Sequence, residues 1–145
     1  MSGVGEDNVE VVRRLFDLYA SGGMEAALEL LDEQLVIVIP PDMSAEPDSY
    51  HGHEGARRYF AGFDGMLEDL RYEAFELIPE GEHVLARARL AGRGVSSGLE
   101  VDLETVVVHT VEGGKGTRIQ PYTDLESARE ALGRPKGMRK PPSSR

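Results

Sequence analysis

His109, Arg118, Gln120 and Tyr122 are the residues of this 145-residue chain whose types and spacing best suit chemistry. An imidazole with an ordinary pKa of about 6.5 gives or takes a proton near neutrality. A guanidinium beside it would keep it neutral and stabilise a developing enolate, while the amide and the phenol could orient a substrate oxygen. The competing reading is structural, with His109 as a hydrogen-bonded core residue and Gln120 and Tyr122 as supports for the last helix. Both stay open here. His51 and His53 flank Gly52 beside Asp48 and Glu54, but that spacing lacks the further ligands of a closed metal site. A surface turn is expected there, and neither metal nor cofactor. Asp124 reads as a helix-start residue, and Asp42, Glu46 and Asp48 as loop acids that either lid a cavity or are solvated.

Composition limits the partners. The chain has no cysteine, which leaves no disulfide framework, thiol nucleophile or thiolate metal site and agrees with a reducing cytoplasm. A net charge of -10 argues against nucleic-acid binding, which needs a basic face. The charge is uneven: residues 134–145 carry five of the 16 Lys and Arg and none of the 26 acids, so the rest holds 11 basic and 26 acidic side chains, or -15. The expectation is a single domain over residues 1–133 and a basic, disordered tail over 134–145. The longest apolar run, Leu35–Pro41, is too short to span a membrane, and nothing resembles a signal peptide. Thirteen arginines against three lysines suggest a GC-rich bacterial genome.

The elements that must position the chemistry follow from periodicity. Asp7 and Glu10 read as a capping pair for a helix to Ala20, with Val9, Val12, Phe16 and Tyr19 on its apolar face. Gly22-Gly23 breaks it, and Met24, Ala27, Leu28 and Leu31 continue as a second short helix. Leu35–Ile39 is a strand stopped by Pro40-Pro41, and a loop runs from Asp42 to about Gly52. Ala56, Tyr59, Phe60, Phe63, Leu67 and Leu70 line a third helix. Tyr72–Ile78, Val84–Ala91, Leu99–Val111 and Thr117–Thr123 are strands, with Gly92–Gly98 as a loop. Thr123 and Glu126 read as the capping box of a last helix ending at Gly133.

A two-residue turn at Gly113-Gly114 pairs His109 with Arg118, Val107 with Gln120 and Thr105 with Tyr122. A turn near Ser96-Ser97 puts Ala86 and Ala88 on the face of Thr105 and sets Arg89 opposite Glu104 on the reverse. One face would then present Ala86, Ala88, Thr105, Val107, His109, Arg118, Gln120 and Tyr122. Beneath helices carrying Tyr19, Tyr59 and Phe63, these small and polar residues either wall a ligand pocket or meet bulky aromatics in a filled core. The other face, with Val106, Val108 and Ile119, is core or a subunit contact. A one-residue slip inverts every assignment.

This order of elements, with YHGHEGARRYF at residues 50–60 and VVVHTVEGGKGTRIQPY at residues 106–122, resembles the NTF2-like superfamily and within it the SnoaL-like group, over roughly Asp7 to Gly133. The resemblance implies an α+β cone whose curved, mostly antiparallel sheet wraps a helix-covered hydrophobic cavity, often in a homodimer joined through the outer sheet face. It includes isomerases, polyketide cyclases, epoxide hydrolases and non-enzymatic binding domains, so fold alone does not give the reaction. The carboxylate base of a steroid-isomerase-like site would fall at Ile39 and its tyrosine near Leu15 or Phe16. The acids of an epoxide-hydrolase-like site are replaced by Gln120 beside Arg118, with Asp102 on the reverse face. The expectation is a domain that binds a small apolar or carbonyl-bearing molecule, with His109 and Arg118 as the catalytic pair of an isomerase- or cyclase-type enzyme, or else a non-catalytic dimerising or accessory domain.

Overall fold

Apolar spacing and two glycine-dependent backbone positions explain most of the architecture. The computed structural model describes residues 4–39 and 49–133. Helix α1 (Val4–Ala27) turns Val12, Leu15 and Phe16 inward, all buried, as a period near 3.6 demands. It kinks at Gly23 (φ 70°, ψ -161°), a conformation that costs a residue with a Cβ dearly. The kink lets the next turn bury Ala27 and Leu28 before a 3₁₀ turn, Leu28–Leu30, delivers the chain into β1 (Leu31–Val38). The helix starts before Asp7, so the expected Asp7/Glu10 cap is absent, and Glu10 instead pairs with Arg13 at 3.2 Å.

Strand β2 (Ser49–His51) pairs antiparallel with β1, and Gly52–Met66 forms α2. Sequence reading placed residues 49–51 in a loop, because three residues carry no periodicity of their own. Helix α2 stops earlier than expected. Leu67 and Leu70 belong to β3 (Leu67–Glu80), which pairs with β4 (His83–Gly94) through two bulges. Glycine lets β4 run into the expected Gly92–Gly98 loop: a Cβ on Gly92 would lie 2.9 Å from the Glu68 carbonyl oxygen. Strands β5 (Glu100–Glu112) and β6 (Lys115–Tyr122) complete an open six-stranded sheet in the order β2-β1-β6-β5-β4-β3, with only β1 and β6 parallel.

Strands β4 and β5 pair in the expected register, with Ala88 opposite Thr105 and Arg89 opposite Glu104. Between β5 and β6 the register holds for Glu112 with Lys115 and Val111 with Gly116, then shifts by one, giving Thr110 with Arg118 and His109 with Ile119. The extra residue is Thr117, whose hydroxyl donates to the Thr110 carbonyl at 3.3 Å. The cause is burial. The unshifted ladder would put Arg118 and Gln120 on the core face, whereas the bulge puts Ile119 and Pro121 there, both buried, and leaves the guanidinium in water.

Helix α3 (Leu125–Leu132) packs on the outer sheet face, where Ala128 meets Leu85, Val106 and Val108. Its N-cap is Asp124, whose carboxylate accepts from the Ser127 amide at 2.7 Å; Thr123 lies one residue too early for the expected capping box. Val106 and Val108 are therefore covered within the chain, and Ile119 lies on the inner face, so the expected subunit contact through these three is not available. Among the described residues no helix is long and apolar enough to cross a membrane. Pro40-Pro41, the loop acids and the basic 134–145 segment lie outside the described residues. Leu35 is fully buried in the cluster joining α1, β1 and β6. Leu35→Ala is expected to lower the unfolding free energy by about 2–5 kcal/mol, measured by urea denaturation with an unchanged slope.

Candidate functional site

The inner sheet face has a filled end and an open one. Towards the hairpin turns, Ala86 and Ala88 are fully buried against Val12 and Phe16 of α1, so the small residues expected to make room serve as the seat of a helix. Towards the other end α2 stands away from the sheet and leaves a partly open cavity of 580 Å³. Tyr59, Phe60, Phe63 and Met66 form its roof, and Thr105, Val107 and Pro121 lie on its floor. Leu70 and Tyr72 of β3 close one side, Ile39 and Tyr50 the other, and Leu90, Leu103 and Glu104 reach the rim.

Four of the expected ligand residues, Tyr59, Phe63, Thr105 and Val107, line this cavity. The others do not. Tyr19 stacks on Phe60 at 5.2 Å and lines a separate 310 Å³ chamber. Gln120 and Tyr122 follow Arg118 onto the outer face, where Tyr122 joins the cluster under α3. Arg118 is exposed and donates to the Gln120 side chain at 3.4 Å. His109 stays on the inner face but is 1% exposed, behind the Phe16 ring at 5.8 Å, and is not part of the cavity lining. The expected His109/Arg118 pair is therefore split across the sheet by the Thr117 bulge.

The cavity residues that sequence reading missed are Ile39, Tyr50, Phe60, Met66, Leu70, Tyr72, Leu90, Leu103 and Pro121 among others. The aromatic periodicity of α2 was a signal for Phe60, and the Tyr72–Ile78 alternation for Tyr72. Tyr50 and Leu70 depended on β2 and on a bulge, which leave no pattern in the sequence.

The electrostatics favour hydrogen-bond donation over acid–base work. Burial pushes the Tyr59 phenol up to about 12, with the Tyr50 phenol adding to the effect. Burial likewise raises Tyr72 well above the ordinary tyrosine value, helped by Tyr19 and Tyr59. These groups stay protonated and can donate to a ligand oxygen. Glu104, at the rim, is tied to Arg89 at 3.1 Å. Thr105 donates to the Tyr122 carbonyl at 2.8 Å. Outside the cavity, the His53 ring nitrogen meets the Leu31 carbonyl at 2.7 Å and His51 meets the Ser49 hydroxyl at 3.1 Å. Among the described residues no group of three or more His, Asp or Glu side chains is placed to hold a metal.

Burial also holds His109 neutral, moving its pKa from 6.5 down to about 4 against the opposing effect of its hydrogen bond to the Val107 carbonyl, 3.3 Å. Above pH 6.5 folded and unfolded chains both carry a neutral imidazole. As pH falls towards 4 the unfolded chain takes up a proton that the folded one refuses, so stability is lost across that window, by roughly 3 kcal/mol in all. His109→Met should flatten this part of the stability–pH curve, measured by urea denaturation at several pH values. An unchanged slope would contradict the burial of this side chain.

The chain has marked likeness to proteins of known structure. The sequence profile of the SnoaL-like domain matches residues 12–119. No curated protein matches the sequence. A candidate SnoaL-like polyketide cyclase from Jannaschia sp. CCS1 is 24% identical, with 93% of this chain and 97% of that one covered and a TM-score of 0.72. TerC, co-crystallised with polyporic acid, is 21% identical over 86% of this chain and 96% of its own, with a TM-score of 0.71. A protein of ketosteroid-isomerase-like fold from Catenulispora acidiphila DSM 44928, in complex with trimethylamine, is 18% identical over 90% and 98%, with a TM-score of 0.67. With the profile spanning most of the chain and the cone-shaped architecture in place, this protein belongs to the SnoaL-like family of the NTF2-like fold.

Proposed function

We propose that the chain binds a small, largely apolar, carbonyl-bearing aromatic molecule in the cavity beneath α2. The observation that carries this reading is the combination of a 580 Å³ aromatic-walled space with the Tyr59 and Tyr72 side chains in its lining. That volume lies within the range of small-molecule sites, roughly 300–1,000 Å³. Ring walls favour a flat ligand by offset stacking and edge contacts, and phenols held neutral supply donors for a carbonyl oxygen. Polyporic acid beside TerC and the cyclase assignment of the Jannaschia protein agree with this ligand class. Proton transfer by His109 and Arg118 forms no part of the proposal, because the two lie on opposite faces.

Gly62 supplies a clean test. It lines the cavity at an exposed position, and a Cβ built on it meets nothing within 4 Å, so a large side chain fits at the cavity mouth without moving backbone and can obstruct it. With 9-fluorenone as the probe, isothermal titration should show binding by the native protein and its loss in Gly62→Trp, with the unfolding transition retained. Tyr59→Phe should weaken the same probe by about 2–12-fold, the equivalent of one neutral hydrogen bond. Fluorenone binding that survives Gly62→Trp unchanged would place the ligand elsewhere.

A homodimer through the outer sheet face is the accessory reading. Phe75 favours it, standing 51% exposed on that face between Arg87 and Arg89, whose guanidinium carbons lie 5.1 and 5.9 Å from its ring centroid. Sedimentation should then give a dimer mass that Phe75→Glu halves. A monomer for the native chain refutes this contact.

A further inference from the structure

Large apolar side chains left in water gather at one end of the molecule. Among the described residues they are Met66, Phe75, Val95, Leu99 and Leu103; Phe75 stands alone on the outer face, and the other four lie together. Met66 and Leu103 line the large cavity while 61% and 56% exposed, so they mark its mouth. The Val95 amide donates to the Met66 carbonyl at 3.0 Å, and the Gly94 amide to the Leu99 carbonyl at 2.8 Å. These two bonds tie the turn between β4 and β5, which carries the exposed Val95 and Leu99, to the end of α2 beside the mouth. Single exposed apolar residues are ordinary on a protein surface, whereas a contiguous group of them marks a place where something apolar lies.

The sheet gives this group a direction. Thr105 of β5 lies on the cavity floor, and strand alternation puts Leu103 and then Val101 on the same inner face. Their partners on β4 are Leu90, which also lines the cavity, and Gly92. Leu99 falls next in the alternation, one residue outside the strand. From Leu103 to Leu99 the row covers roughly 13 Å at about 3.3 Å per residue, and it carries the apolar floor outward past the rim.

Charge selects among the possible occupants. Arg93 reaches Glu68, Asp69 and Glu100 at 3.9, 3.8 and 3.7 Å, and Arg89 reaches Asp102 and Glu104 at 3.1 Å. Five carboxylates thus stand around this end against two guanidinium groups, in a chain with a net charge of -10. Such a surface repels an anionic lipid bilayer and a second copy of itself. A neutral hydrocarbon chain meets no such opposition, and the row's continuity with the cavity lining places it where part of a bound guest would emerge.

We propose that the row of Leu103, Val101 and Leu99, flanked by Met66 and Val95, is an external subsite for the alkyl tail of the guest. The ligand class is then a carbonyl-bearing aromatic with a linear saturated chain, which leaves the cavity between Met66 and Leu103. This rests on the binding reading given above and extends it from a compact ketone to a tailed one.

Butyrophenone and octanophenone, which differ only in tail length, and 9-fluorenone, titrated calorimetrically into the full chain, separate the possibilities. A methylene fully removed from water is worth about fourfold in affinity. On an open apolar row that covers roughly half of it the gain is about twofold each, so octanophenone should bind the native protein about tenfold or more tighter than butyrophenone. Leu99→Asn combined with Val95→Thr, both at exposed positions outside the cavity lining, should cut that advantage by about threefold or more. The same variant should leave fluorenone binding and the unfolding transition unchanged. Equal binding of the two phenyl ketones by the native chain, or an advantage that survives intact in the double variant, would overturn the subsite. So would sedimentation of the ligand-free native chain as a dimer that the double variant splits, or co-sedimentation with phosphatidylcholine vesicles that the double variant abolishes, because another occupant then covers the row. If fluorenone binds and octanophenone gains nothing over butyrophenone, the subsite alone fails. If none of the three binds, the cavity reading falls with it.

Discussion

Beside the second hairpin, β6 gains one residue relative to β5, and this bulge at Thr117 decides which side chains the cone encloses. A strand has two sides, so a single inserted residue exchanges them for everything that follows. Ile119 and Pro121 close onto the inner face while Arg118, Gln120 and Tyr122 turn out. The alternative would bury a guanidinium with no carboxylate opposite it, a penalty of several kcal/mol in a dry core. The interior can be apolar because this exchange happens next to the turn, before the strand reaches the cavity.

The rest of the cone follows from how its two roofing helices sit. Helix α1 lies close to the sheet because Ala86 and Ala88 are short, and it fills that end with Val12 and Phe16. Helix α2 carries its bulk in rings, which pack on one another: Tyr59 meets Phe63 at 5.2 Å and Phe60 at 5.4 Å. Rings braced edge to face hold a roof above the floor without collapsing onto it. The same sheet is thus tightly packed under one helix and vaulted under the next. The outer face is closed separately by α3, capped by Asp124, so the interior and exterior surfaces share strands but not side chains.

Much of this was legible in the residues. Val12, Phe16 and Tyr19 marked the first helix, Gly113-Gly114 the hairpin, and the turn at Ser96-Ser97 set Arg89 opposite Glu104 as the structure has it. The order of helices and strands was enough to name the fold. The site was less legible. Val106, Val107 and Val108 are apolar on both faces, so the β5 pattern could not say which side was inside, and a bulge that depends on Gly116 and Thr117 is invisible to alternation. Tyr50 entered the lining through β2, a strand defined only by its partner, and Leu70 through the strained turn at Asp69. Tyr59 and Phe63 could be assigned to the roofing face, where they line the cavity, because the helix that carries them has a period that owes nothing to its neighbours.

The phenols have a consequence for how the proposed binding would respond to pH. Tyr59 loses its proton only at about 12, and Tyr72 is likewise raised. The donors they offer therefore keep one charge state through every condition a cell imposes. Acidification or alkalinisation within that span leaves both phenols as donors, so a pH dependence of the proposed binding would have to arise outside these two groups.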